Sequence, residues 1–196
     1  MGVSEDLSSA GISVRDQFLD SAQVRALLGC LGERRARGDF TEARVGSGRT
    51  LQKDSGVRGD RTCWLSETLF AAERELLFAL EQLRVQLNRD LYLGLIELEL
   101  HYAWYPPGAG YARHVDQPHG SPGRRLSLIL YLNENWESGA GGELELFDAH
   151  GCRRIEPLAG RLVCFLSEGR EHAVLRARRD RFSVTGWFRA RDGVRA

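Results

Sequence analysis

The apolar positions of this chain change their period near residue 90. Before it, two stretches carry helical spacing. Val24, Leu27, Leu28 and Leu31 recur at three- and four-residue steps. Asp20 and Ser21 just upstream are suited to cap a helix from about Ala22 to Arg37. Leu69, Phe70, Leu76, Leu77, Leu80, Leu83 and Leu87 form a wide apolar stripe with charged residues between them. That stripe predicts a second helix, from a Ser66 cap to about Asn88, laid against a sheet. Within Gly11 to Leu19, Ile12 and Val14 alternate as strand residues do. The segment 42–60 is rich in Gly and Arg and predicts a long loop or weakly paired hairpin, either a functional lid or a surface connection.

After Asp90, alternating and β-branched runs take over. They cover Ile96–Tyr105, Tyr111–Val115, Arg125–Leu132, Glu143–Phe147, Leu162–Phe165, His172–Leu175 and Phe182–Phe188, with Gly, Pro, Asn and Asp clusters between them. Short strands at this spacing predict a sandwich or barrel, not a parallel sheet with crossover helices. The expected fold is mainly β with supporting helices, built on a double-stranded β-helix (jelly-roll) core over 91–190. Residues 1–90 would supply the helices and the Gly/Arg loop. The chain, 1–196, reads as a single domain, since this length buries one good core and is short for two.

Charge narrows the function. The 27 basic residues balance 27 acidic ones, so no global field draws the chain to nucleic acid or an anionic membrane. Cys30, Cys63, Cys152 and Cys164 are scattered without a C-x-x-C pair, which gives no zinc or thioredoxin-like motif. The first ten residues lack a basic and then apolar leader, and no apolar run has membrane-spanning length. The expectation is a cytoplasmic protein with free thiols and neither a nucleic-acid nor a membrane partner.

The candidate chemistry lies in His114, Asp116, His172 and Arg181. Alternate residues of a strand project to one side, so His114 and Asp116 can reach one metal ion together. A second imidazole from His172 would complete a facial triad with open positions, the arrangement of non-haem Fe(II) oxygenases. Arg181 could then hold the far carboxylate of an acidic cosubstrate through its planar fork. His101 competes as a ligand: it shares a strand face with Ala103 and Tyr105 and could line the cavity, but no carboxylate lies beside it. His119 falls in a surface loop and His150 in a turn.

Several longer motifs carry a family resemblance. They are Tyr105 to Asp116 (YPPGAGYARHVD), Leu128 to Trp136 (LILYLNENW), Gly141 to Leu144 (GGEL), and His172 with Arg181 to Trp187 (RFSVTGW). An upstream stretch, Arg58 to Trp64 (RGDRTCW), extends the match, which covers about Arg58 to Phe188. Together these resemble the 2-oxoglutarate- and Fe(II)-dependent prolyl 4-hydroxylases, most of all the oxygen-sensing (HIF-type) branch and its bacterial relatives.

The resemblance implies that His114, Asp116 and His172 bind Fe(II). Arg181, helped by the Tyr131 hydroxyl, would pair with the C5 carboxylate of 2-oxoglutarate. Tyr105 would line the cosubstrate pocket, and Leu144 would pack on its methylenes. Trp187, Arg58 and Asp60 would stand toward the substrate, with Asp60 and Arg124 paired to tether the Gly/Arg loop. Arg at 181, where collagen-type relatives carry Lys, favours the HIF-like branch. A carboxylate at 116, which related halogenases lack, favours hydroxylation.

The implied activity consumes O2 and 2-oxoglutarate, releases succinate and CO2, and hydroxylates a prolyl residue of a protein, with ascorbate as the candidate reductant. Bacterial relatives act on a translation elongation factor, which makes such a factor a candidate partner. The alternatives are a 2-oxoglutarate oxygenase acting on a small molecule or another side chain, and a non-catalytic metal-binding jelly-roll module. A nucleic-acid demethylase shares the triad but places its Arg farther from the second His.

Overall fold

Three helices, α1 (Val3–Ala10), α2 (Ser21–Ala36) and α3 (Ala71–Leu91), pack on the chain's main sheet. The structure is a computed structural model that describes residues 2–43, 56–65, 68–117, 123–148 and 151–190. The expected Ser66 cap, His119, His150 and most of the Gly/Arg loop lie outside the described residues. Among the described residues, no helix is long and apolar enough to cross a membrane.

Capping explains where the helices start. Asp20 Oδ1 accepts from the Gln23 N–H at 2.9 Å while Gln23 Oε1 accepts from the Asp20 N–H at 3.0 Å. This reciprocal box starts α2 within a residue of the expected position. In α3 the Glu73 carboxylate accepts from the Phe70 N–H at 3.0 Å, which makes Phe70 the cap and starts the helix later than its leucine stripe suggests. The short α1 was not legible in the apolar spacing, because only Ser4 and Leu7 of it are buried. Its ends define it instead: Glu5 accepts from the Gly2 N–H, and Gly11, left-handed at φ 67°, returns its N–H to Leu7 O.

Eleven strands follow this plan among the described residues: β1 (Ile12–Arg15), β2 (Thr41–Glu42), β3 (Arg61–Trp64), β4 (Leu95–Tyr105), β5 (Tyr111–His114), β6 (Arg124–Tyr131), β7 (Leu144–Asp148), β8 (Gly151–Ile155), β9 (Leu162–Leu166), β10 (His172–Val174) and β11 (Arg181–Ala190). They form a major sheet in the order β1-β9-β6-β11-β4-β3-β2 and a minor sheet in the order β5-β10-β7-β8. Every pairing is antiparallel. The core is the expected jelly roll. The run of β-like segments beyond residue 90 corresponds to β4–β7 and β9–β11. The strands β2, β3 and β8 are additions, too short or too polar to show as apolar alternation.

Side-chain alternation divides the major sheet into two working faces. Leu100, Tyr102, Leu128, Leu130, Val184 and Phe188 turn toward the helices and meet Leu27, Leu80 and Leu87. Ile129, Tyr131, Val163 and Phe165 turn the other way, onto Leu144, Leu146 and Ile155 of the minor sheet. Register sets Tyr105, Ala103 and His101 opposite Arg181, Ser183 and Thr185. It sets Ser183, Thr185 and Trp187 opposite Tyr131, Ile129 and Ser127. These residues therefore line the space between the sheets.

One ion pair sits inside the helical layer. Glu73, fully buried, accepts from Arg34 Nε at 2.7 Å and Arg34 Nη2 at 2.8 Å. Burial alone would push the Glu73 carboxyl up; the Arg34 guanidinium and the Phe70 N–H outweigh it and hold it below its ordinary value. Glu73→Ala would leave the buried Arg34 only Thr68 O and the more exposed Asp39 carboxylate at 3.9 Å, at a cost of about 3–5 kcal/mol, whereas replacing both residues with leucine should recover much of that. Urea unfolding measures both; a loss under about 1 kcal/mol for the single variant would mean that water relieves Arg34.

Candidate active site

The minor sheet brings the two distant histidines together. His172 on β10 is the direct cross-strand partner of His114 on β5, and their ring centroids lie 4.1 Å apart. Asp116, two residues beyond His114, reaches the same side. Its Oδ1 is 3.7 Å from His114 Nε2 and its Oδ2 is 3.5 Å from His172 Nε2. One possible ligand atom from each of the three lies within 4.8 Å of the others, and the described residues contain one such group.

Both imidazoles are oriented from behind. His114 Nδ1 lies 2.8 Å from Ala112 O, and His172 Nδ1 lies 3.1 Å from Arg170 O. A carbonyl only accepts, so each Nδ1 carries the proton and each Nε2 lone pair is free for a metal. Burial would push the Asp116 carboxyl up, but the imidazoles of His172 and His114 outweigh it and hold it well below the carboxylate range. Two neutral nitrogens and one carboxylate oxygen suit a divalent iron.

Asp116 has a hydrogen-bonded support that spacing alone did not single out. Ser127 Oγ donates to Asp116 Oδ2 at 2.6 Å, and Ser127 Oγ lies 2.8 Å from Ser167 Oγ. Since the Ser127 proton goes to the carboxylate, Ser167 must donate to Ser127. The available signal was parity with Tyr131, which puts Ser127 on the inner face. Removing such a support typically weakens metal binding 10- to 100-fold. Ser127→Ala should therefore raise the Mn(II) dissociation constant by about that range, and Ser127→Thr should restore it; equal affinities by titration would contradict this role.

On the inner face of the major sheet stands Arg181, 1% exposed. Its Nε donates to Gly142 O at 2.8 Å, while its Nη2 has no partner. The Tyr131 hydroxyl, fully buried, is likewise unpartnered. The guanidinium carbon lies 4.8 Å from the Tyr105 ring centre and 5.0 Å from that of Tyr131. Gly142, at φ 71°, permits this contact, since a Cβ there would meet Arg181 Cδ at 3.1 Å and Trp136 at 3.1 Å. A buried guanidinium with one nitrogen unused and a buried hydroxyl beside it fit the carboxylate of an acidic cosubstrate. Leu144, fully buried, provides apolar wall on the minor sheet.

Trp187 is on the inner face, 6% exposed, beneath the Arg124 guanidinium at 3.6 Å. Arg58 and Asp60 pair with each other, Nε to Oδ1 at 2.7 Å and Nη2 to Oδ2 at 3.0 Å. The expected Asp60–Arg124 tether does not form. Arg58 lies two residues from Asp60 on an extended segment and fills its carboxylate bidentately. Arg124 instead donates to Glu99 at 3.3 Å. His101, the competing ligand, stays apart from the triad. It stacks on Trp187 (5.5 Å) and meets the tilted ring of Trp64 (4.7 Å), and burial pushes its pKa down to about 3.

This jelly roll, with two histidines and a carboxylate facing a buried arginine, has the form of a 2-oxoglutarate-dependent oxygenase. Residues 100–189 match the model of the 2OG-Fe(II) oxygenase superfamily. A prolyl-4-hydroxylase from Pseudomonas putida superposes with a TM-score of 0.87 at 41% identity, over 96% of this chain and 97% of that one. A Trichoplax adhaerens prolyl hydroxylase, in complex with a peptide fragment of the hypoxia inducible factor oxygen degradation domain, superposes equally well at 27% identity, over 95% and 87%. Human Egl nine homolog 1 is 31% identical over 93% of this chain, which spans 44% of that protein's length. Mouse prolyl hydroxylase EGLN3 is 29% identical, and the chain spans 80% of it. The chain belongs to the 2-oxoglutarate- and Fe(II)-dependent prolyl hydroxylases.

Proposed function

We propose that the chain hydroxylates a prolyl residue presented by a protein substrate, consuming O2 and 2-oxoglutarate and releasing succinate and CO2. The observation that carries this reading is the triad of His114, Asp116 and His172 on the minor sheet, with Arg181 Nη2 and the Tyr131 hydroxyl buried without partners on the major sheet. Fe(II) would be held by the three triad residues and would activate O2, which is the oxidant. One oxygen atom of O2 goes into succinate and the other into the substrate C–H bond.

The chain's own residues position the reactants. Ser127 holds the Asp116 carboxylate in one orientation, with Oδ2 engaged. Arg181 and the Tyr131 hydroxyl would take the C5 carboxylate of 2-oxoglutarate, Leu144 its methylenes, and Tyr105 would close the pocket beside Arg181. The apolar layer between the sheets keeps water from this space. Trp187 and the Arg58–Asp60 pair would stand on the substrate side.

The proposed partner is a translation elongation factor carrying the target proline, in a cytoplasmic setting, with ascorbate as the reductant that keeps iron ferrous. The whole chain, 1–196, would act as one domain, its first 90 residues supporting the jelly roll. The test is incubation of the purified chain with Fe(II), 2-oxoglutarate, ascorbate and the elongation factor, followed by mass spectrometry of its peptides. One added oxygen on a proline is expected. Succinate release stimulated by a small molecule, with no protein modified, would favour the alternative oxygenase.

A further inference from the structure

The helix α3 carries apolar residues on two opposite faces. Leu76, Leu80, Leu83 and Leu87 are buried in the core. Half a turn around, Phe78 is 68% exposed and Val85 51%, and Tyr92, which caps the helix C-terminus, is 84% exposed. These three recur at steps of seven, so they make one nearly straight line along the helix. The solvent face of a surface helix is ordinarily polar. The other exposed large apolar side chains among the described residues are Val57 and Trp64, which flank the Arg58–Asp60 segment, and Ile96, four residues past Tyr92.

Tyr92 adds a backbone observation. Its φ is 54°, the left-handed conformation that glycine ordinarily supplies at a helix C-terminus. A bulky residue there costs about 1 kcal/mol or more, and burial within one copy does not offset that cost.

Charge selects what covers the line. Glu75, Gln82 and Arg89 follow one flank of it, again at steps of seven, and the two charged ends are exposed. A second copy laid antiparallel about Gln82 would set Glu75 beside the partner's Arg89, and Arg89 beside the partner's Glu75. The same register sets Phe78 against the partner's Val85, and Tyr92 over the partner's Ala71, whose small side chain leaves room for the ring. It also opposes the two helix dipoles. A parallel copy would bring the two Arg89 side chains together.

We propose that α3 is a self-association surface, on which two copies of this chain pair antiparallel along Phe78, Val85 and Tyr92 with a two-fold axis at Gln82. The helix packs on the side of the major sheet away from the minor sheet, so pairing leaves both active sites open.

The first measurement is sedimentation equilibrium of the full chain up to about 200 μM, because one helix per copy makes a small and weak interface. A dimer is expected. Phe78→Lys should raise its dissociation constant more than about a hundredfold, since each copy loses a covered ring. Glu75→Arg or Arg89→Glu alone should weaken it about tenfold through two repulsive contacts, and the two together should restore it. Tyr92→Gly should weaken the dimer while the dilute chain melts no lower than the wild type, because glycine adopts the left-handed cap freely. Cross-linking reads the register in a Cys152→Ser background, which removes the exposed native thiol. With oxidised glutathione, Gln82→Cys should form a disulfide-linked dimer and Arg89→Cys should not. A monomer throughout the concentration range, or a dimer that Phe78→Lys leaves intact, would overturn the surface. Cross-linking through Arg89→Cys in place of Gln82→Cys, or no rescue by the double charge reversal, would overturn the antiparallel pairing.

Discussion

Asp116→Ala should abolish turnover and leave no visible charge-transfer band on anaerobic addition of Fe(II) and 2-oxoglutarate. The carboxylate is the triad's one negative charge and lies within 3.7 Å of both imidazole Nε2 atoms. Without it, a divalent ion faces two neutral nitrogens that no anion offsets. Outer contacts to a metal ligand are worth 10- to 100-fold in affinity, so loss of the ligand itself should exceed about a hundredfold. Removing the charge also frees His172, whose pKa is raised because Asp116 outweighs the burial that would lower it. In the variant, burial is opposed only by the hydrogen bond to Arg170 O, and His172 should titrate at lower pH, which NMR of the ring protons would detect. A band that persists in Asp116→Ala would exclude this triad as the iron site.

Arg181→Met should separate stability from cosubstrate binding. In the wild type the guanidinium is almost fully buried, with one nitrogen on Gly142 O and Nη2 unpartnered. An uncompensated buried charge costs folding free energy, and methionine fills a similar shape without it. The ligand-free variant should therefore melt no lower than the wild type. Its affinity for 2-oxoglutarate should fall by about 2–5 kcal/mol, the cost of truncating one partner of a buried charge pair, or at least about thirtyfold. Calorimetry with Mn(II) in place of iron reads the affinity, and thermal unfolding with and without 2-oxoglutarate reads the coupling. Unchanged affinity would remove Arg181 from the cosubstrate pocket.

The parts of this molecule that were legible in its sequence are those where periodicity and chemistry coincide. His114 and Asp116 differ by two on a strand, so their common side follows from the pleat. Tyr131 and Arg181 end or begin strands whose apolar alternation is strong, and the jelly-roll core emerges from that alternation. The helix α1 was missed because Leu7 is its one buried large apolar residue. The strand β8 was missed because its first four residues are exposed. Pairing of charges was the least legible feature. Asp60 could be matched with any nearby arginine until the backbone set Arg58 beside it and gave Arg124 to Glu99 and Trp187. The carbonyls of Ala112 and Arg170, which fix the imidazole tautomers, have no side-chain signature at all.

The two halves of the site belong to different sheets. His114 and His172 sit on the minor sheet, Arg181 and Tyr131 on the major one. A dicarboxylate spanning iron and Arg181 would then act as a caliper set by the gap between them. Its jaws are held apart by Ile129, Phe165, Leu144 and Leu146. Choice of cosubstrate length would then rest with hydrocarbon: trimming that layer should retune which oxo-acid fits.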